Sequence, residues 1–207
     1  MIEAISLKYA HVFGDALAAQ ARLRFRVFVE GRDLPHNHYN GMEYDEFDTP
    51  AAVYLVWRDP DMIARGLIRM IPTSEPYMLQ QYWPYLCQTR ELPESDRVWE
   101  ASRVCVDRSY DSRIRPRIMP ELLCGVREFC LHNDIQAVVG VTRMHLISHF
   151  LRSGIEWLGD PAEVEGQQEA AMWIPTERIN PQAHCRKYDV SGSVLSLESV
   201  EQYQVAA

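Results

Sequence analysis

Residues 135–142, reading Ile-Gln-Ala-Val-Val-Gly-Val-Thr, constrain this chain more than any other segment. The run is almost continuously apolar and has the length of a strand. A run of that kind belongs to a strand covered on both faces. Helical patterns flank it. On one side Pro120 is placed in the first turn of a helix reaching about His132, with Leu122, Leu123, Val126, Phe129 and Cys130 on its apolar face. On the other side residues 143–153 read as a helix closed by Gly154. Strand and helix in this alternation predict an α/β fold, with helices on the faces of one sheet.

The remaining pattern fits that frame. Residues 15–29 read as a helix, with Leu17, Ala21, Phe25 and Phe28 on one face. Residues 32–41 hold Pro35, Gly41, two His and two Asn, and read as a loop. Residues 52–57 and 63–71 read as strands joined into a hairpin by Arg58-Asp59-Pro60-Asp61. A short helix is expected at 77–87 and a strand at 98–106. Further strands are expected near Glu156, at 170–174 and at 194–197. The expectation is a single domain over residues 1–207, a mixed sheet flanked by helices in three layers.

Composition excludes several functions. A net charge of −8 argues against general nucleic-acid binding, which needs a basic footprint. No apolar run approaches the roughly 18 residues of a membrane span. Glu3 and Lys8 interrupt the N-terminus, which has no secretory apolar segment, so a cytoplasmic protein is expected. Five cysteines, an odd count without a CxxC pair, read as reduced thiols and not as a zinc site or disulfide framework. The seven His are scattered, and His36 and His38 read as solvated loop residues, so no metal site is expected.

Charges in apolar segments are the informative anomaly. Arg24 lies four residues before Phe28 on one helix face. Asp45 and Asp48 flank Phe47, Arg69 sits inside an apolar strand, and Glu100 and Arg103 interrupt another. Strict alternation puts positions 100 and 103 on opposite faces, so a bulge is needed to aim both at one site. Buried charges are costly unless paired. Two readings follow from spacing alone: an ion-pair network tying the first helix to the sheet, or a functional pocket.

The ordered strings carry a resemblance. Arg24-Phe25-Arg26-Val27-Phe28-Val29-Glu30, Glu43-Tyr44-Asp45-Glu46-Phe47-Asp48, Arg69-Met70-Ile71-Pro72-Thr73 and Pro76-Tyr77-Met78-Leu79 come first. Trp99-Glu100-Ala101-Ser102-Arg103, Asn133-Asp134-Ile135-Gln136 and Leu151-Arg152-Ser153-Gly154 follow. In this order and spacing, over roughly residues 20–155, they resemble the acyl-homoserine lactone synthases, which make quorum-sensing autoinducers. The family usually closes its first motif with a Trp where this chain has Leu34, so one wall of the S-adenosylmethionine pocket is expected to differ.

The resemblance implies an N-acetyltransferase-like fold and an acyltransferase. The amine of S-adenosylmethionine would attack an acyl thioester, and its carboxylate would then displace methylthioadenosine to close the lactone. Both molecules are substrates, and no cofactor is implied. Glu100, Arg103 and Asp45 would form the catalytic set, Glu100 positioning or deprotonating the amine. S-adenosylmethionine would meet Arg24, Phe28, Leu34, Asp45, Asp48, Arg69, Ser102 and Arg103. Arg24 and Arg103 would either hold its carboxylate or brace the acidic residues. The acyl pocket would comprise Met78, Leu79, Val104, Gly140, Thr142 and Met144, with Gly140 pointing to an unsubstituted acyl chain. The donor is acyl carrier protein or coenzyme A, met by Arg113, Arg115 and Arg152 within a cluster that includes Arg108 and Arg117. The neighbouring family lysine is Ser148 here. Two alternatives stand beside this reading. One is an N-acyltransferase using acyl-CoA and another amine, against which the Gly-free stretch 113–120 counts. The other is a non-catalytic sensor.

Overall fold

Two apolar clusters, one on each face of a single large sheet, organise the chain. The computed structural model describes residues 1–31, 37–150 and 154–196, without the side chains of 148–150 and 182–184. In order, the elements are β1 (Ile2–Ser6), α1 (Ala16–Arg24), β2 (His38–Tyr39), β3 (Met42–Glu43), β4 (Val53–Arg58), β5 (Ala64–Pro72), α2 (Met78–Tyr82) and β6 (Val98–Val106). Then come α3 (Arg115–His132), β7 (Ala137–Thr142), α4 (Met144–Phe150), β8 (Glu156–Trp157), β9 (Ala162–Val164), β10 (Gln167–Pro175) and α5 (Gln182–Lys187). The sheet runs β1-β4-β5-β6-β7-β10-β8, with β9 also on β10. Its pairs are antiparallel except β6–β7. α3 packs Ile118, Leu122, Val126 and Phe129 on one face, while α1 packs Ala16, Ala19 and Leu23 on the other.

Most expected elements are present, including the β4–β5 hairpin, β6 and β7. Several details differ. The first residues form edge strand β1, whose short Ile-Glu-Ala-Ile pattern gives no clear period; Glu3 is drawn to Arg58 at 2.7 Å. α3 starts at Arg115, so Pro116 occupies the first turn and Pro120 lies inside the helix. There Pro120 leaves one backbone hydrogen bond unmade, and the buried Ile118 and Leu122 beside it hold the helix together. The first helix keeps α geometry only to Arg24 and widens into a π segment over Phe25–Glu30. Within the expected loop, Asn40 and Gly41 adopt positive φ (50° and 71°) and turn the β2–β3 hairpin. Asn-Gly suits such a turn because both central residues need that conformation. Of the strand expected at 194–197, the described part is one bridge, Ile2 to Leu195. The five cysteines are free thiols, and the Sγ atoms of Cys124 and Cys185 approach to 2.9 Å.

Two irregularities in the sheet make the site. β6 and β7 pair from Val98–Ala137 to Glu100–Val139 and then part, although both strands continue. A V-shaped split opens between them. At its apex Gly140 passes so close that an added Cβ would lie 2.7 Å from the Ala101 carbonyl oxygen. The second irregularity is the bulge that the spacing of Glu100 and Arg103 demands. Leu67 pairs with Cys105 but Arg69 with Ser102, so β6 carries an extra residue there, and Arg103 takes φ 50°. The extra residue turns Arg103 toward the same side as Arg69.

Candidate active site

Two buried arginines, the partly buried Arg103 and three carboxylates interlock beside the bulge. Arg24, fully buried, bonds Glu43 through Nε, Asp48 through Nη1 at 2.6 Å and Asp45 through Nη2 at 3.4 Å. Arg69 donates to Asp45, to Asp48 at 3.0 Å, to Ser102 Oγ at 3.1 Å and to Met78 Sδ at 3.2 Å. Arg103 reaches Asp45 at 2.6 Å and Glu43 at 3.2 Å through Nη2, and Met78 Sδ at 3.7 Å through Nη1. Among the described residues its buried Nε has no hydrogen-bond partner. The Tyr54 hydroxyl donates to Asp48 at 2.6 Å.

The electrostatics follow from that arrangement. Burial disfavours the Asp48 carboxylate, but Arg24 and Arg69 outweigh it and hold its pKa at about 2. Burial likewise works against the charges of Arg24 and Arg69, and the neighbouring carboxylates raise both above the ordinary arginine value. Arg24 spends every described bond inside the network, so it braces the acidic loop. Glu43 is the member of this cluster that sequence reasoning left outside the site; its place in the Glu43–Asp48 string was the available signal.

Glu100 has a different environment. It is 1% exposed and accepts the backbone N–H groups of Met78 at 3.1 Å and Leu79 at 2.7 Å. It therefore holds the first turn of α2. Burial pushes its carboxyl upward, against the opposing pull of those two N–H groups and of Arg69. A carboxylate raised in this way is better suited to take a proton near neutral pH than an ordinary surface glutamate.

The split strands open onto a cavity of about 430 Å3. It passes from one face of the sheet to the other. Val27, Phe28, Met78 and Trp83 line it on the α1–α2 side. Met119, Ile147 and Met172 line it on the α3 side. Between them the β6 edge presents Glu100, Ser102, Arg103 and Val104, and β7 presents Thr142. Arg108, Arg115 and Arg143 border the cavity as its cationic part. Arg115 donates to the Arg108 carbonyl, and Arg143 lies 3.8 Å from Glu169.

The candidates of the sequence separate accordingly. Phe28, Met78, Glu100, Ser102, Arg103, Val104, Arg115 and Thr142 are on the cavity wall. Arg24, Asp45, Asp48 and Arg69 stand behind it in the ion network. Leu79 is buried and turned to Glu100, Gly140 is at the apex, and Met144 is exposed outside the wall. Arg113 is exposed and paired with Asp111 at 2.6 Å, away from the cavity. Leu34 and Arg152 lie outside the described residues. Trp83, Met119, Arg143, Ile147 and Met172 join the wall although sequence reasoning did not select them, because only the strand split reveals which apolar residues face it. Among the described residues no group of three His, Cys, Asp or Glu could hold a metal ion, and no helix is long and apolar enough to cross a membrane.

A mixed sheet split at a parallel pair, with an acid on one side of the gap and cations at its rim, is the frame of an acyltransferase with an N-acetyltransferase-like fold. An N-acetyltransferase from Lactobacillus plantarum, itself described as putative, shares that fold at a TM-score of 0.56 and 20% identity, covering 84% of this chain and 98% of its own. The autoinducer synthase family model matches residues 13–183, and the chain belongs to that family. It is 32% identical to the isovaleryl-homoserine lactone synthase of Bradyrhizobium diazoefficiens, over 86% of this chain and 81% of the relative. It is 30% identical to an acyl-homoserine-lactone synthase of Pseudomonas aeruginosa, over 84% of this chain and 87% of the relative. A solved CoA-dependent acyl-homoserine lactone synthase, in complex with SAM and isopentyl-CoA, superposes with a TM-score of 0.81 at 27% identity, covering 100% and 99% of the two chains. The activity is acyl-homoserine-lactone synthesis.

Proposed function

We propose that this enzyme takes its acyl group from a coenzyme A thioester, delivers it to the amine of S-adenosylmethionine, and closes the product to a lactone with release of methylthioadenosine. The observation that carries this reading is the cavity's polarity. Its aromatic part lies on the α1–α2 side next to Glu100 on the β6 edge, and Arg108, Arg115 and Arg143 border it elsewhere, together with Glu165 and Glu169. A small cationic amino acid derivative suits the first, and a phosphorylated thioester suits the second. The solved relative with isopentyl-CoA supports the donor assignment.

In this scheme Glu100 accepts a proton from the substrate amine, directly or through a water. The nitrogen then attacks the thioester carbonyl, the C–S bond breaks, and the thiol leaves. The bulge takes the 103–104 peptide out of the β5–β6 ladder, the place from which a backbone N–H can stabilise the oxyanion. Arg103 offers its unpartnered Nε to the substrate carboxylate, holding it in line to displace methylthioadenosine. Asp45 orients Arg103, and Arg24, Asp48 and Arg69 brace Asp45. Phe28 packs against the adenosylmethionine. In this scheme the thioester is already an activated acyl donor and the sulfonium is already a good leaving group, so neither step calls for a resident cofactor.

The test is incubation of purified protein with S-adenosylmethionine and parallel panels of acyl-CoAs and acyl carrier protein thioesters. Methylthioadenosine and lactone are expected with CoA donors. Turnover confined to carrier-protein donors would overturn the donor assignment. Folded protein that releases no methylthioadenosine with any donor would sink the whole reading.

A further inference from the structure

We infer that Met172 sets the length of acyl chain this enzyme accepts, by closing the apex of the split between β6 and β7. The inference rests on the acyl-transfer reading above and adds to it a selecting residue on β10, a strand outside every motif in the sequence.

The geometry is local. β6 and β7 stop pairing at Glu100–Val139, so Gly140 is the first residue of β7 past the junction. Met172 is the cross-strand partner of Gly140 on β10. Its Cε lies 3.3 Å from the point where a Gly140 Cβ would stand, and the Ala101 carbonyl oxygen lies 2.7 Å from the same point. Glycine at 140 thus leaves just enough room for the Met172 methyl to reach the narrow end of the gap. Met172 is buried and lines the cavity. The thioester carbonyl is expected near the bulge at 103–104, farther along β6 toward the open end. An acyl tail running from there toward the apex meets the Met172 thioether.

Size selection by such a stop is sharp. Packed apolar pockets distinguish substrates differing by one methylene by roughly 10- to 200-fold. Methionine is flexible, so it seals an irregular apex without strain. A smaller side chain extends the channel, whereas a leucine of similar volume preserves the stop.

The experiment measures kcat/KM across a saturated acyl-CoA series from four to twelve carbons, with methylthioadenosine release as readout, for wild type, Met172→Ala and Met172→Leu. Met172→Ala is expected to move the optimum to chains longer by two or more carbons, with at least a tenfold change in the long-to-short ratio. Met172→Leu is expected to keep the wild-type profile. A Met172→Ala enzyme that turns over with an unchanged profile would overturn the inference while leaving the reaction intact. A wild type inactive with every donor would instead remove the reading on which it rests. Should Met172→Ala not fold, Met172→Val replaces it, with an intermediate shift expected and an unchanged profile again counting against Met172. Calorimetric titration of long acyl-CoAs without S-adenosylmethionine gives a second readout, with tighter binding expected only for the shortened side chain.

Discussion

Arg103 hangs its guanidinium on Asp45 at 2.6 Å while its own Nε remains buried without a partner among the described residues. A buried guanidinium donor without a partner is costly. In the proposed reaction the pair serves as an anion clamp: Asp45 fixes the orientation of Arg103, and the substrate carboxylate completes its donor set. Arg103→Lys keeps the charge and loses the planar fork. We expect kcat/KM for S-adenosylmethionine to fall about 30- to 150-fold, the equivalent of roughly 2–3 kcal/mol for a charged hydrogen bond. The KM for the acyl donor should barely move. Steady-state kinetics with each substrate varied in turn decide it, and equal losses on both substrates would point to a general collapse of the site.

Glu100 predicts a pH dependence. Burial raises its carboxyl above the ordinary glutamate value in the folded enzyme. A general base acts only when ionised, so the acidic limb of the kcat/KM profile, which reports the free enzyme, should lie at higher pH than a surface carboxylate would give. Glu100→Gln should lower kcat roughly 100- to 10,000-fold and remove that limb. An unchanged kcat would take Glu100 out of the proton transfer and leave it as the anchor of Met78 and Leu79. The same raised value opposes folding once Glu100 ionises, because the folded state binds the proton more tightly than the unfolded chain.

These two residues show what the amino-acid order makes legible. The apolar run at 135–142, the β4–β5 hairpin and the need for a bulge between 100 and 103 follow from local patterning, because each depends on periodicity or on turn chemistry. The split of β6 from β7 does not follow, since nothing in either strand says where pairing stops. Met172, Met119 and Trp83 were hidden for that reason. Arg24 and Arg103 looked equivalent in sequence. Only the count of occupied nitrogens separates them, Arg24 with each of its three nitrogens bonded inside the network and Arg103 with its Nε left over.

Asp48 predicts acid lability. Its folded pKa of about 2 lies below the ordinary aspartate value of 3.8. The stabilisation is therefore complete above about pH 4 and disappears as pH falls toward 2, because the unfolded chain takes up the proton first. The amount is about 2 kcal/mol. Urea unfolding at pH 5, 4, 3 and 2 should show wild type losing this increment over that window. Asp48→Asn should be less stable at pH 7, with Arg24 and Arg69 left short of a counter-charge, and flatter between pH 4 and 2.

The arginines on the cavity wall separate donor binding from chemistry. Arg115 and Arg143 border the cavity, whereas Arg113 is exposed and occupied by Asp111. If the wall arginines meet CoA phosphates, the double variant Arg115→Ala, Arg143→Ala should raise the KM for acyl-CoA about tenfold or more and leave the KM for S-adenosylmethionine unchanged. The wild-type KM for acyl-CoA should rise with salt, because partly exposed charges are screened within about 10 Å at 0.1 M, and the double variant should lose most of that salt dependence. Arg113→Ala should match wild type in both respects. The truncated donor acyl-pantetheine, which lacks the nucleotide phosphates, supplies the control: its KM should be insensitive to the double substitution. A variant that loses acyl-CoA and acyl-pantetheine equally would mean that Arg115 and Arg143 shape the cavity and do not bind phosphate.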